Sequence, residues 1–441
     1  MVELSHGRRQ LVLWICCMSL FIVGIDVTIV NVALPSIQRS FHASVSDLQW
    51  TIDAYSLVIA CLLMLSGSMA DRFGRRRVFQ IGLSVFALGS LLCSIAPGLG
   101  WLVAFRALQA IGGSMLNPVA LSIIANTFTD PKERGRAMGI WGSVFGLSLA
   151  LGPVLGGLLV TGIGWRSIFW INVPVGLAAI ILTQMFVPES KAARARRVDP
   201  FGQVIVILLL GSLTYAIIEG PRRGFTSPLI LGLFGVALVS AVAMVLVELR
   251  QREPLIDMRF FRSVPFAGAS VAAVSAFAVL GGFLFLNTLY LQDIRHYSAL
   301  KAGLLLLPMA AMLFVFSRVS GYLIGHRGPR TPLVLAGVPL TIGVVLLAHI
   351  SSTTSIPYLV VAYLFVGVGC GLVNAPISNT AVSGMPLDQA GVAGAIASTS
   401  RQVGSSLGVA VTGSIVAAGT GSAFVSSSHA AWYVLAGCSV A

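Results

Sequence analysis

LVLWICCMSLFIVGIDVTIVNVALP, residues 11–35, is an apolar run that carries a single charge, Asp26. Crossing about 30 Å of hydrocarbon as a helix takes roughly 20 apolar residues, so this segment is long enough to span a bilayer. A carboxylate near the bilayer centre costs about 3 kcal/mol or more unless it is protonated, paired or hydrated. Two readings of Asp26 follow: a hydrogen bond to a neighbouring helix, or a place on an ion or substrate pathway. Ionisable groups inside spans favour the second.

The rest of the chain has the same character. It is 56% hydrophobic and only 10% charged, with a mean hydropathy of +0.92. That leaves too little polar surface to cover a water-soluble core, so an all-α polytopic membrane protein is expected. The net charge of +13 sits mostly in short loops between apolar runs, which points to anionic lipid headgroups and not to nucleic acid. The six cysteines, Cys16, Cys17, Cys61, Cys93, Cys370 and Cys438, all lie in apolar segments with no metal-ligand spacing, so neither a disulfide framework nor a metal site is indicated. No small-residue cleavage site ends the first run, which is expected to persist as the first helix.

Apolar runs fall at 11–34, 48–70, 78–96, 100–126, 136–160, 167–187, 201–218, 228–249, 266–291, 302–325, 331–350, 357–382, 390–417 and 430–441. The last, at 1.5 Å per residue, is too short to cross and is expected to be an incomplete helix. Nineteen of the 28 Lys and Arg occupy one alternating set of loops, six occupy the other set, and Arg106, Arg318 and Arg401 fall within spans. By the positive-inside rule the N-terminus is cytoplasmic. Gly67–Arg76 aligns with Gly321–Arg330, and Gly135 with Gly391, at nearly equal offsets. Related halves are therefore expected: an N-terminal six-helix bundle over 1–187, an inserted helix pair with charged cytoplasmic linkers over 188–262, and a C-terminal bundle over 263–441. Parallel repeats of this kind are a transporter arrangement, with the substrate at their interface near the midplane.

Several polar residues share helical faces. In the fourth span Arg106, Gln109, Gly113 and Asn117 form a stripe that needs a protein interior or a wet cavity. Arg106 and Asp26 lie at compatible depths, about 9 and 12 Å from the same edge. A pairing is expected, either as a static ion pair or as one whose hydration and separation set the proton affinity of Asp26. Asp53, on a face with Gln49 and Ser56 in the second span, is either solvated at the interface or a second coupling or cation-recognition acid. The fifth span carries Gly142, Gly146, Gly152, Pro153, Gly156 and Gly157, a set suited to close helix packing or to bending. In the second half Arg401, with Gly394 and Ser398, lines a cavity or anchors the halves, and Asn374 shares a face with Gly367, Gly371 and Ser378.

GSMADRFGRR at 67–76 resembles the signature loop of the major facilitator superfamily, although positive-inside loops are basic for simpler reasons. The resemblance implies that Gly67, Asp71, Arg72, Gly74 and Arg75 form a conformational gate. The second-half copy has Gly325 where the first has Asp71, so a latch there is weaker or built differently. RALQAIGG at 106–113 resembles that superfamily's fourth-helix motif, implying a part for Arg106 in proton transfer. GPVLGG at 152–157 resembles its antiporter motif, and IDVTIVNVALP at 25–35 resembles the first-helix motif of fourteen-span drug:proton antiporters. The segments GWRSIFWINVP at 164–174, PLID at 254–257 and YLQ at 290–292 extend that resemblance over nearly the whole chain.

The expectation is a major facilitator fold, two six-helix bundles with an inserted pair, in the plasma membrane. It would export hydrophobic or amphipathic drugs or metabolites in exchange for protons, with Asp26, Arg106 and Asp53 coupling and Asn31, Gln109, Gly113, Asn117, Asn374 and Arg401 lining the cavity. Expected partners are a small-molecule substrate, protons and lipid, with the monomer as the working unit. No P-loop or other catalytic constellation is present, so a proton gradient takes the place of a cofactor and no enzyme activity is expected. A transporter dedicated to one metabolite, or a non-transporting receptor or scaffold, are the alternatives.

Overall fold

A computed structural model describes residues 5–191, 199–250, 261–382, 390–417 and 422–440. All regular structure among them is helical. The first half comprises α1 (His6–Phe41), α2 (Val45–Phe73), α3 (Arg75–Ser94), α4 (Leu99–Thr127), α5 (Pro131–Gly162), α6 (Ser167–Trp170) and α7 (Asn172–Phe186). α8 (Pro200–Arg223) and α9 (Pro228–Arg250) follow. The second half holds α10 (Val264–Leu289), α11 (Ala299–Leu305), α12 (Leu307–Arg327), α13 (Arg330–Leu347), α14 (Ile356–Val382), α15 (Ala390–Val416) and α16 (Ser422–Val440). The linker residues Arg194, Arg196, Arg197, Arg252 and Arg259 and the motif from Pro254 to Asp257 lie outside the described residues, as do the surroundings of Gly142, Ser378 and Gly394.

Eleven helical segments among the described residues are long and apolar enough to cross a membrane. Their ends follow local chemistry. Ser44 and Asp47 form a reciprocal capping box at the start of α2, with Asp47 N–H donating to Ser44 Oγ at 3.3 Å and Ser44 N–H to Asp47 Oδ2 at 2.9 Å. Ser44→Ala is expected to cost about 1 kcal/mol, read as a lower midpoint of thermal unfolding in detergent. Gly74 and Gly328, at the α2–α3 and α12–α13 junctions, both have positive φ, +111° and +76°. The aligned loops thus share a backbone feature that L-residues resist.

Three apolar runs differ from the sequence reading. The 167–187 run breaks into α6 and α7 at Ile171, and the 302–325 run breaks into α11 and α12 at Leu306. Pro308 explains the second break, since it has no N–H to continue the ladder from α11. The final helix starts at Ser422, well before the expected Ala430, and its 19 residues reach about 28 Å. Ser426 and Ser428 do not end it, because their hydroxyls donate back to the carbonyls of Ala423 and Val425.

α1 packs on α5, α2 on α4, and α3 on α4 and α7. In the second half α10 packs on α15, and α14 on α12 and α13. α8 and α9 pair, and α8 reaches both α2 and α15. The halves meet mainly through α2 with α15, α5 with α11 and α12, and α1 with α10. At the end away from the Arg72–Arg77 loop, Gln49 Nε2 on α2 donates to the carbonyls of Val409 and Ala410 on α15, at 3.2 and 2.8 Å. There too Gln292 Nε2, in a π-helical turn Tyr290–Ile294 that ends α10, donates to Val32 O on α1 at 2.8 Å. At the basic end a Cβ at Gly67, Gly321 or Gly325 would meet nothing within 4 Å. Among the described residues, these side-chain hydrogen bonds between the halves lie at the end away from the basic loop and seal it.

Candidate functional site

Asp26 and Arg106 meet. Both are buried, at 0% and 1% exposure, and Arg106 Nη1 donates to Asp26 Oδ2 at 2.5 Å. The other carboxylate oxygen accepts from Gln109 Nε2 at 2.8 Å and from Asn172 Nδ2 at 3.1 Å. Arg106 Nη1 also donates to Gln109 Oε1 at 2.6 Å, and Nε to Thr51 O at 3.2 Å. Its guanidinium lies 4.1 Å from the Tyr55 ring centroid and 5.8 Å from that of Phe169. Ser90 Oγ accepts from Gln109 and Asn172. The i, i+3 spacing of Arg106 and Gln109 puts both on one face of α4. The break before α7 presents Asn172 from another direction. One negative and one positive charge are thus fully paired inside the first half, the condition under which such burial is tolerated.

Beside this pair lies a small cavity between the halves, lined by Asn31, Tyr55, Ser56, Arg106, Gly281 and Ser405 among others. Asn31 Oδ1 and Tyr55 Oη are buried there without hydrogen-bond partners. A second small cavity, between α1, α5, α10 and α12, is almost wholly apolar, with Thr28, Leu149, Leu284, Met309 and Leu313 in its wall. Apolar walls with a few polar atoms are the usual composition of a small-molecule site.

The remaining candidates sort by geometry. Asn31 lines the small cavity between the halves. Gln109 belongs to the ion-pair network instead, because both ends of its amide are used there. Gly113 is covered by Tyr55 and Phe86. Asn117 and Asn374 are half-buried and line neither cavity. Arg401 donates to Ser398 Oγ at 2.8 Å on its own helix and lies over Phe277 of α10, the geometry of an anchor within the second half. Asp53 is completely buried, which removes the solvated reading. On α5, Gly152 and Gly156 face α1 at Thr28 and Ile29, Gly157 faces α11 at Leu300, Pro153 abuts Gly303, and Gly146 faces open space.

In the signature loop Asp71 accepts from Arg75 Nη2 at 2.9 Å, an i, i+4 pair within the loop. Arg72 is exposed over Phe73. The loop's tether is a residue the sequence did not single out. Glu189, beyond α7, accepts from the N–H groups of Arg76 and Arg77 at 3.1 and 3.3 Å and so caps α3. A Cβ at Gly74 would lie 2.7 Å from Glu189 Oε1. Gly74→Ala is accordingly expected to cost about 1–3 kcal/mol through its positive φ, seen as a lowered unfolding midpoint. Asn172, Ser90 and Tyr55 were likewise missed as site residues. Asn172 had a usable signal, an amide two residues before Pro174 in an apolar run.

A multi-pass helical membrane protein with two halves, a sealed end and a fully paired buried charge couple has the construction of a transporter. Residues 16–409 match the Major Facilitator Superfamily. The chain is 38% identical over 413 residues to the multidrug resistance protein Stp of Mycobacterium tuberculosis, covering 93% of this chain and 77% of that one. It is 35% identical over 421 residues to the tetracenomycin C resistance and export protein of Streptomyces glaucescens, covering 95% and 78%. Among solved structures it resembles a bacterial homologue of the human lysosomal transporter Spinster in an inward-facing, unoccupied conformation, with a TM-score of 0.65, 20% identity and coverage of 94% and 84%. The nucleoside transporter NupG matches with a TM-score of 0.67, 12% identity and coverage of 98% and 97%. The chain belongs to the Major Facilitator Superfamily; it is a transporter and not an enzyme.

Proposed function

We propose that this transporter exports hydrophobic or amphipathic drugs or metabolites in exchange for protons, by alternating access across the plasma membrane. The observation that carries the reading is the buried Asp26–Arg106 pair beside a cavity at the junction of the halves. With α5, α15 and α16 added to the eleven segments of sufficient length, the chain crosses fourteen times. The N-terminus lies in the cytoplasm and the α2–α15 seam at the outer end, an orientation that the basic loops support. The working unit is the monomer, with lipid headgroups against its basic loops. Relatives named for multidrug resistance and for tetracenomycin C export support the substrate class.

Asp26 takes a proton when the site faces outward, which removes its charge and releases Arg106 to Gln109 and the Tyr55 ring. Loss of that proton to the cytoplasm restores the ion pair and accompanies substrate loading. The paired geometry corresponds to the state after release. The test is uptake of ethidium and a panel of antibiotics into inverted membrane vesicles, with and without a protonophore. Gradient-driven uptake is expected for the native protein and its loss for Asp26→Asn. Persistence of proton-coupled uptake in Asp26→Asn overturns the mechanism.

A further inference from the structure

The two buried acids of the first half are treated in opposite ways. Asp26 has three donors, whereas neither carboxyl oxygen of the completely buried Asp53 has a hydrogen-bond partner. Asp53 lies one helical turn from Gln49, on the face of α2 that closes against α15. Gln49 clamps the carbonyls of Val409 and Ala410 through its amide nitrogen, and its Oε1 is left without a partner. Across the seam Ser406 of α15 is the side chain that interacts with Asp53, without closing a well-formed hydrogen bond, and Ser406 Oγ is also buried and unpartnered. The seam therefore collects four orphan oxygens, from Gln49, Asp53 and Ser406, around one hydroxyl hydrogen.

Among the described residues, no charged side chain is placed to compensate the carboxyl. On the elements packed against α2, Asp26 of α1 and Arg106 of α4 are committed to each other. Glu219 of α8 holds Arg223 and Trp50, Arg75 of α3 holds Asp71 in the signature loop, and Arg401 of α15 holds Ser398. On α2 itself Asp47 is committed to the cap at Ser44, and Arg72 and Asp71 lie at the far end. An ionised carboxylate with no partner is not tolerated in a buried seam, whereas a carboxylic acid supplies the donor that its neighbours lack.

We propose that Asp53 is a second proton-binding site, distinct from Asp26, that must be loaded from the outside before the outer seam between α2 and α15 can close. This rests on the orientation proposed above. When the outer ends part, Asp53 meets water and ionises; when they close, it returns as the neutral acid and hydrogen-bonds within the seam. A proton held there is taken from the outer solution and given back to it, so it gates the cycle without being the coupled proton. Loss of one proton on opening makes the closed-to-open ratio fall by up to tenfold per pH unit as pH rises.

The test is a distance measurement by spin labels at Ser40→Cys and Thr353→Cys, exposed positions at the outer ends of the two halves. It uses the full chain in lipid nanodiscs with Cys438→Ser, the other native cysteines being buried. The expected result is a short-distance population that declines with rising pH, in the native background and equally in Asp26→Asn. Asp53→Asn should hold the seam closed at every pH, and Asp53→Glu should retain the response. A slope in Asp53→Asn equal to that of the native protein overturns the proposal, as does a native protein with no slope. Should Asp53→Asn fail to fold, Ser406→Ala must lower the closed population while keeping the slope, and an unchanged closed population counts against the proposal. Coupled uptake in Asp26→Asn vesicles would sink the transport mechanism alone, so the two failures are separable.

Discussion

Arg106→Ala is expected to abolish transport and to destabilise the protein by about 3–5 kcal/mol, the cost of leaving one member of a buried ion pair without its partner. The loss extends beyond the pair. Arg106 also bonds Gln109 Oε1 and Thr51 O, so its removal leaves Asp26 with two amide donors but no countercharge and takes the donor from the Gln109 amide oxygen. Arg106→Lys is expected to fail as well, because an ammonium has no planar fork to address Asp26, Gln109 and Thr51 together or to stack on Tyr55. The double variant Asp26→Asn/Arg106→Gln should recover much of the stability, since neither residual group carries a charge, yet remain inactive. Unfolding midpoints in detergent for the four corners of this cycle give the coupling energy. A double variant no more stable than Arg106→Gln would show that the charge pair does not set the stability.

The distribution of apolar length made the helices legible, and the depth of Asp26 and Arg106 made their pairing legible. Both are one-dimensional properties. What sequence depth leaves open is rotation about each helix axis, and that decides neighbours. Gln109 shares the stripe with Arg106, but whether it faced a cavity or the carboxylate depended on how α1 and α4 are turned against each other. Asn172 reaches Asp26 only because the chain breaks between α6 and α7, a break that composition does not announce. Glu189 looked like a linker charge, and it became the cap of α3 because Gly74 lets the chain turn tightly enough to bring the two together. The serines near Ser426 read as the end of an apolar run, although a helix absorbs them by bonding hydroxyls to its own carbonyls.

Gly157→Val is expected to prevent the outer end from closing and to suppress efflux without unfolding either half. α5 and α11 approach so closely that a Cβ at Gly157 would lie 2.6 Å from Leu300 Cα, and one at Gly303 would overlap the Pro153 carbonyl. In both cases the obstacle is backbone, which cannot rotate aside as a side chain does. Overpacking of this kind costs about 1–3 kcal/mol. Because the contact joins the halves and leaves the packing of α1 to α4 untouched, the cost falls on the closed state alone. An energy of that size changes a two-state ratio by about 5- to 150-fold, enough to hold the transporter open on the outside. Labels at Ser40 and Thr353 should then show the long distance, and ethidium uptake into inverted vesicles should fall in proportion. Gly146→Val provides the contrast on the same helix, since a Cβ there meets nothing within 4 Å in the closed arrangement. If Gly157→Val keeps the short distance, α5 and α11 are not what closes this end, and the seal rests on the α2–α15 seam instead.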